Sequence, residues 1–200
     1  MTLVRSVLGK LQSKGLRLKY EKCSFQVTEV TYLGFRVDKN GLNPTTEKIR
    51  AIKEAPTPTN LTQLRAYLGL LNFYRKFIPQ AATLLEPLNY LLRSTNEWKW
   101  SKEQELAFQK SKVALVESEA LVHFDLEKPI VVVSDSSAYG IGAVLCHKID
   151  GKERPVLFAS RTLNTAERNY SQLEKEALAL VFALRHFNDY LWRGVSLFLR

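Results

Sequence analysis

Soft and imidazole metal ligands are scarce in this 200-residue sequence: two cysteines, Cys23 and Cys146, and three histidines, His123, His147 and His186. The cysteines lie too far apart for a zinc knuckle and are too few for a disulfide framework, so both read as free thiols. The histidines have no metal-ligand spacing and read as surface or packing residues. No apolar run approaches the roughly 20 residues of a membrane span. Charges are distributed through "MTLVRSVLGKLQSKGLRLKYEKC", where a secretory leader would need an unbroken apolar stretch. These absences argue against a membrane protein and for an intracellular setting, cytoplasmic or nuclear. Two adjacent aspartates occur nowhere.

What is present describes a globular chain. With 46% hydrophobic and 24% charged residues there is material for one or two cores. The net charge of +9 is unevenly placed: residues 1–100 hold 16 Lys and Arg against 7 Asp and Glu, whereas residues 101–200 hold 13 of each. A basic half joined to a neutral half suggests a polyanion-binding surface attached to a module with another task. Nucleic acid is the natural partner, and a merely solubilising basic surface is the alternative.

Periodicity divides the chain further. Leu3, Val4, Val7, Leu8 and Leu11 recur at helical spacing and end near Gly15. "CSFQVTEVTYLGFRVDKNGLNP" alternates and is rich in Val, Thr, Tyr and Phe, which predicts a β-hairpin. A short helix follows in "NPTTEKIRAIKEA", with a capping Thr and Glu47 close behind, and "APTPT" makes a stiff linker. Asn60 or Thr59 caps a longer helix, "LTQLRAYLGLLNFYRKFI", stopped by Pro79. At about 100° per residue, Leu61, Leu64, Leu68 and Leu71 form a core stripe. Gly69, Phe73 and Phe77 form a second stripe that a ligand could approach, with Arg65, Arg75 and Lys76 nearby to meet phosphates. Alternatively Phe73 and Phe77 pack on the next helix, "AATLLEPLNYLLRS". Trp98 and Trp100 flank a helix capped by Ser101 and read as anchors rather than base readers.

The second half begins with "VVVSDSSAYGIGAVL", a strand ending in a lone carboxylate, Asp135. A buried unpaired carboxylate is costly, so Asp135 is edge-exposed, paired or metal-bound, the plain reading being a turn former between two hairpin strands. With "GIGAVLCHKID" and "KERPVLFASRTL" the stretch predicts an antiparallel meander. One helix is expected over "NTAERNYSQLEKEALALVFALRHFNDYLW", and "GVSLFLR" reads as a fourth, terminal strand.

The order of these motifs resembles Ty3/gypsy-type retrotransposon Pol polyproteins. "TYLGFRVDKNGLNPTTEKIRAI" and "LRAYLGLLNFYRKFIP" are similar to the palm end and thumb of the reverse transcriptase; strand, Asp, "GIGAVL" and "FASRTLNTAERNYSQLEKEALALVFALRHF" are similar to the N-terminal half of its ribonuclease H domain. The resemblance implies an α/β (α+β) fold, a helical thumb-like module followed by a truncated ribonuclease H-like mixed sheet. Its parts would be a palm end with primer-grip hairpin at 1–42, a thumb at 43–97, a connector helix and strand at 98–129, and the ribonuclease part at 130–200. It further implies RNA-directed DNA polymerisation and Mg²⁺-dependent cleavage of RNA in RNA–DNA hybrids, with a virus-like particle as a possible setting.

Carried over residue by residue, Tyr32, Leu33 and Gly34 match the primer grip, Gly69 and Phe73 the thumb positions that track the duplex, and Asp135 and Glu176 the first two metal-binding carboxylates. Glu176 is chosen over Glu174 by this match alone. With Leu173, Ala177, Leu180 and Leu184 taken as the buried stripe, the two glutamates flank it equally. Two Mg²⁺ ions are held by hard oxygen ligands, which explains the demand for carboxylates. The family's polymerase aspartate pair and its later ribonuclease carboxylates have no match here, and Asp189 precedes the last strand and is no replacement. The expectation is therefore a catalytically incomplete fragment that binds template–primer duplex or RNA–DNA hybrid, with the missing Pol segments as its other partners. The alternatives are a non-catalytic nucleic-acid-binding module and a gene remnant that exposes an unpaired terminal strand.

Overall fold

The computed structural model describes residues 2–93, 97–192 and 197–199. Helix α1 (Thr2–Ser13) leads through a short 3₁₀ turn into strands β1 (Glu29–Tyr32), β2 (Phe35–Asp38) and β3 (Gly41–Pro44). Five helices follow: α2 (Thr46–Lys53), α3 (Leu61–Phe73), α4 (Ala81–Leu84), α5 (Glu86–Leu91) and α6 (Lys102–Val116). The second half contains β4 (Ile130–Ser136), β5 (Gly140–Ile149), β6 (Lys152–Thr162), α7 (Thr165–Arg168), α8 (Gln172–His186), α9 (Asn188–Leu191) and β7 (Leu197–Leu199). The α+β class is as expected. No helix among the described residues is long and apolar enough to cross a membrane.

The predicted hairpin is a three-stranded antiparallel meander, β1-β2-β3. Its first turn is Leu33-Gly34, both at positive φ (47° and 77°), between the paired Tyr32 and Phe35. Two consecutive left-handed residues match the right-handed twist of the strands they join. The second sheet has the order β6-β5-β4-β7; its first three strands form the predicted meander. The terminal strand is not left unpaired: β7 lies parallel to β4, with Ile130 opposite Leu197. Residues 194–196 and 200 of that predicted strand lie outside the described residues.

Helix α3 is shorter than its periodicity suggests. Asn60 caps it by accepting from the Gln63 N–H (2.9 Å), and Gln63 reaches back to the Thr59 N–H (2.8 Å). It ends at Phe73, because Pro79 supplies no N–H and forces Ile78 into extended backbone (φ −107°, ψ 111°). A 3₁₀ turn, Arg75–Phe77, takes up the difference and changes which side chains share a face. Leu64, Leu68 and Leu71 are buried, joined by Tyr67 and Tyr74. Phe77 leaves its predicted stripe and is buried (1% exposed), while Phe73 stays half exposed (50%). These residues share one core with Ile52, Leu85, Leu88, Phe108, Leu115 and Leu121, with Trp98 and Trp100 packed against it. The Tyr67 hydroxyl donates to Ser111 Oγ (2.7 Å), because Ser111 spends its own proton on the Phe108 carbonyl. Burial pushes the Tyr67 phenol up to about 12.

Helix α8 covers the other core. Ile130, Val132, Ala143 and Leu145 of the sheet meet Ala183 and Phe187. The single helix expected here is broken, since two capping boxes stand in succession: Asn164 with Glu167, and Ser171 with Glu174. The expected stripe of Leu173, Ala177, Leu180 and Leu184 is also corrected. Leu173 is 80% exposed and the buried positions of α8 are Ala179 and Ala183, small residues that let the helix lie close to the sheet, with the large Phe187 ring buried at its C-terminal cap.

His147 is wholly buried, with Nε2 accepting from the Asp125 N–H (2.9 Å) and Nδ1 facing the Pro129 carbonyl (3.2 Å), the packing role expected of it. Cys146 is buried too, and desolvation pushes its thiol up to about 12. Thiolate being the reactive form, Cys146 is expected to resist iodoacetamide at pH 8 until the protein unfolds. Mass spectrometry of the alkylated protein checks this; stoichiometric labelling of the native chain at Cys146 would contradict it.

Candidate carboxylate site and nucleic-acid interface

The turn between β1 and β2 and the end of α3 form one surface. Tyr32 (65%) and Leu33 (68%) project into solvent at the turn. The Tyr74 hydroxyl donates to the Gly34 carbonyl (2.9 Å), and Phe35 stacks on Phe73 with ring centroids 4.9 Å apart. A side chain at Gly34 would meet the Tyr74 hydroxyl (3.1 Å) and the Phe73 ring (3.2 Å), so glycine serves both the turn and this approach. Lys76 lies over the Phe35 ring, 3.9 Å from its centroid. Burial lowers the Lys76 ammonium from its ordinary range. Arg65, Gly69 and Phe73 are spaced four apart along α3 and all exposed; a Cβ at Gly69 would meet nothing within 4 Å.

Arg75 does not join this face. Its guanidinium donates to the Ser160 carbonyl (2.8 Å) and lies 3.3 Å from Ser160 Oγ, and burial lowers its pKa from the ordinary arginine range. It braces the 3₁₀ turn against β6. The seam continues with the Ala82 N–H donating to Ser160 Oγ (3.1 Å), Thr83 paired with Ser137 (2.8 Å), and Glu86 between Arg93 (3.0 Å) and Arg168 (3.3 Å).

The carboxylates sit at the far end of β4. Asp135 is exposed; one carboxylate oxygen accepts from the Ser136 N–H (2.9 Å), the other from the Gln80 side-chain amide (3.0 Å). The next residue points the other way, as strand alternation requires. Ser136 Oγ donates to Glu176 Oε1 (2.8 Å), and Gln172 Nε2 donates to the same oxygen (2.7 Å). Glu176 is half-buried because it lies three and seven residues before Ala179 and Ala183, on the inward side of α8. Glu174 is spent on the cap: it accepts from the Ser171 N–H and hydroxyl (2.8 Å each), which lower its pKa.

The structure thus brings Glu176 to the neighbour of Asp135 and gives the two carboxylates different partners. Among the described residues, no three His, Cys, Asp or Glu side chains gather as a metal-binding group. Gln80, Ser136 and Gln172 were not anticipated. "SDSS" offered Ser136 only as turn chemistry, and "IPQ" marks Gln80 only as the residue after a helix-breaking proline.

Residues 100–198 match the RNase H-like domain found in reverse transcriptase. The chain is 38% identical over 189 residues to the transposon Tf2-3 and Tf2-4 polyproteins of Schizosaccharomyces pombe (strain 972 / ATCC 24843). That alignment covers 94% of this chain and 14% of each polyprotein, so the chain spans about one seventh of their length. Among solved structures it is similar to the foamy viral protease-reverse transcriptase in complex with RNA/DNA hybrid (TM-score 0.82, 28% identity, 99% of this chain and 27% of that chain). It is equally similar to the foamy viral protease-reverse transcriptase dRH in complex with double-stranded DNA (TM-score 0.81, 28% identity, 99% of this chain and 35% of that chain).

Proposed function

The chain belongs to the Pol polyproteins of Ty3/gypsy-type retrotransposons, with an RNase H-like domain of reverse transcriptase in its second half, and from that premise we propose that its first half grips a nucleic-acid duplex and its second contributes carboxylates to an RNA-cleaving site. The assignments are a palm end with primer grip at 1–42, a thumb at 43–97, a connector at 98–129 and the ribonuclease part at 130–200. The observation that carries the reading is the union of the Leu33-Gly34 turn with Phe73 and Lys76 through Tyr74 and Phe35. With Gly69 and Arg65 exposed four and eight residues before Phe73 on α3, that union offers a half-exposed aromatic ring, an exposed glycine and cations, as backbone-tracking duplex recognition requires. Duplex complexes among the structural neighbours support the choice of ligand.

In the second half, Asp135 and Glu176 fit Mg²⁺ by donor chemistry: hard carboxylate oxygens, Asp135 open to solvent with acceptor capacity remaining on both oxygens. Bound there, Mg²⁺ would activate water and stabilise the leaving oxygen of a phosphodiester. Ser136 and Gln172 orient Glu176 through the two bonds to Oε1. These 200 residues by themselves are proposed to bind without polymerising or cleaving, since among the described residues no three His, Cys, Asp or Glu side chains gather as a metal-binding group.

Filter binding of an RNA–DNA hybrid at several salt concentrations, with Mg²⁺ present and products separated on a gel, tests both parts. Affinity is expected to fall steeply with salt, and Arg65→Ala and Lys76→Ala are each expected to reduce the log–log slope by about 0.9. Arg75→Ala is expected to leave the slope unchanged and to lower stability instead, because its guanidinium is committed to Ser160. Equal slope changes for Arg75→Ala and Lys76→Ala would remove the interface as described. Hybrid cleavage lost in Asp135→Asn would show these residues sufficient for catalysis.

A further inference from the structure

We propose that Gln80, which belongs to the helical half, is the positioning residue for the Asp135 carboxylate of the sheet. The inference rests on the reading of Asp135 as a cation ligand and goes beyond it, since it makes one half of the molecule set the geometry of a group in the other. Gln80 sits between the 3₁₀ turn and α4 in left-handed backbone (φ 48°), a conformation a long side chain adopts only when its surroundings hold it there. On either side Arg75, Ala82 and Thr83 bind Ser160 of β6 and Ser137 of the turn after β4, so the residue is clamped to the seam.

The Gln80 side chain crosses that seam. Its Nε2 donates to Asp135 Oδ2 (3.0 Å) and lies 3.5 Å from the Asp135 carbonyl, while its Oε1 is buried and without a hydrogen-bond partner. Turning the amide over would take the donor from Asp135 and set Oε1 against its carboxylate, so the orientation follows from Asp135. Space for the amide exists because residue 142, opposite Asp135 in the ladder, is glycine. A Cβ there would collide with Gln80 Oε1 and reach to 2.6 Å of its Cδ. With the Ser136 N–H on Oδ1, each Asp135 oxygen has one donor and keeps a lone pair for a cation. Such outer hydrogen bonds fix the direction of a ligating carboxylate, and their removal typically lowers metal affinity about 10- to 100-fold.

Mn²⁺ serves as the probe, since carboxylate sites that suit Mg²⁺ also take it. The readout is paramagnetic broadening of the backbone amide resonances of residues 135–137 and 176 in the 200-residue chain. Gln80→Gly, which accepts the left-handed backbone, and Gly142→Ala, which displaces the flexible Gln80 side chain, are each expected to weaken Mn²⁺ binding at least about tenfold. Neither is expected to weaken it further once Asp135→Asn is present, as a double-mutant cycle requires of an effect exerted through Asp135. Affinity within twofold of the original in Gln80→Gly, with Asp135→Asn weakening binding at least about tenfold, would overturn the role of Gln80 and leave Asp135 as a ligand. A loss in Gln80→Gly that persists in the Asp135→Asn background would also overturn it, as general disturbance of the seam. Mn²⁺ binding that is absent, or indifferent to Asp135→Asn, would overturn the ligand reading and the positioning role together.

Discussion

Gly41→Ala is expected to destabilise the protein by about 3 kcal/mol or more, as strained backbone and a steric collision add. Gly41 opens β3 with φ +142°, a conformation side-chain-bearing residues rarely adopt. Its missing Cβ faces backbone: the Leu121 carbonyl carbon would be 2.8 Å away and Val122 Cα 3.0 Å away, with the carbonyl oxygen closer still. That backbone cannot move aside, because Leu42 and Leu121 exchange N–H···O bonds of 2.7 Å and 3.0 Å. Val122 in turn donates to the Pro155 carbonyl (2.8 Å), so the strain would pass from the first sheet into the second. Urea denaturation measures the cost, with Gly69→Ala as the control. Gly69 lies within α3, and a Cβ there meets nothing within 4 Å, so alanine should stabilise by about 0.5–1 kcal/mol. The same chemical change with opposite sign at two positions is the expected result. A Gly41→Ala protein within about 1 kcal/mol of the original would contradict the close approach of Leu121.

Tyr74→Ala is the second large effect, about 3–5 kcal/mol by analogy with other buried aromatic truncations. Tyr74 is 1% exposed and meets Phe73 and Phe35 edge-on, at centroid distances of 4.9 Å and 5.6 Å. Removing the ring leaves a cavity where α3, the 3₁₀ turn and the β1–β2 turn converge. Tyr74→Phe separates packing from hydrogen bonding: it keeps the ring, strands the Gly34 carbonyl, and should cost about 1 kcal/mol. Faster amide exchange around residues 32–35 in Tyr74→Phe, with weaker hybrid binding and a nearly unchanged melt, would tie the turn's order to its grip. A Tyr74→Phe protein whose turn exchanges no faster would leave that bond without a role in ordering the grip.

Much of the local structure was legible in the sequence. Asn60 and Ser101 announce their helices by cap chemistry acting over three or four residues. Likewise the runs 130–136, 140–149 and 152–162 reveal their strands by β-branched content and turn residues. The double capping box that splits α7 from α8 was equally present in "NTAERNYSQLE", and the strong apolar pattern behind it obscured it.

The errors have a common origin. The α8 stripe drawn through Leu173 weighed residue hydrophobicity, whereas the helix meets the sheet through Ala179 and Ala183, where small size allows close approach. Arg75 and Lys76 are adjacent cations in the sequence, yet one is spent on Ser160 and the other stands over Phe35. No local rule separates them, because the difference depends on where β6 passes.

By itself the sequence determined the caps, the turns, the strand runs, the leucine core of α3 and the uneven placement of charge, all set by interactions between near neighbours in the chain. Only the tertiary structure decided which glutamate faces Ser136, which aromatic of α3 and its 3₁₀ turn stays exposed, why residues 41 and 142 must be glycine, and that Gln80 reaches Asp135. Each of these depends on the close approach of segments tens of residues apart, where a single Cβ or one buried amide decides the outcome and neighbouring residues carry no record of it.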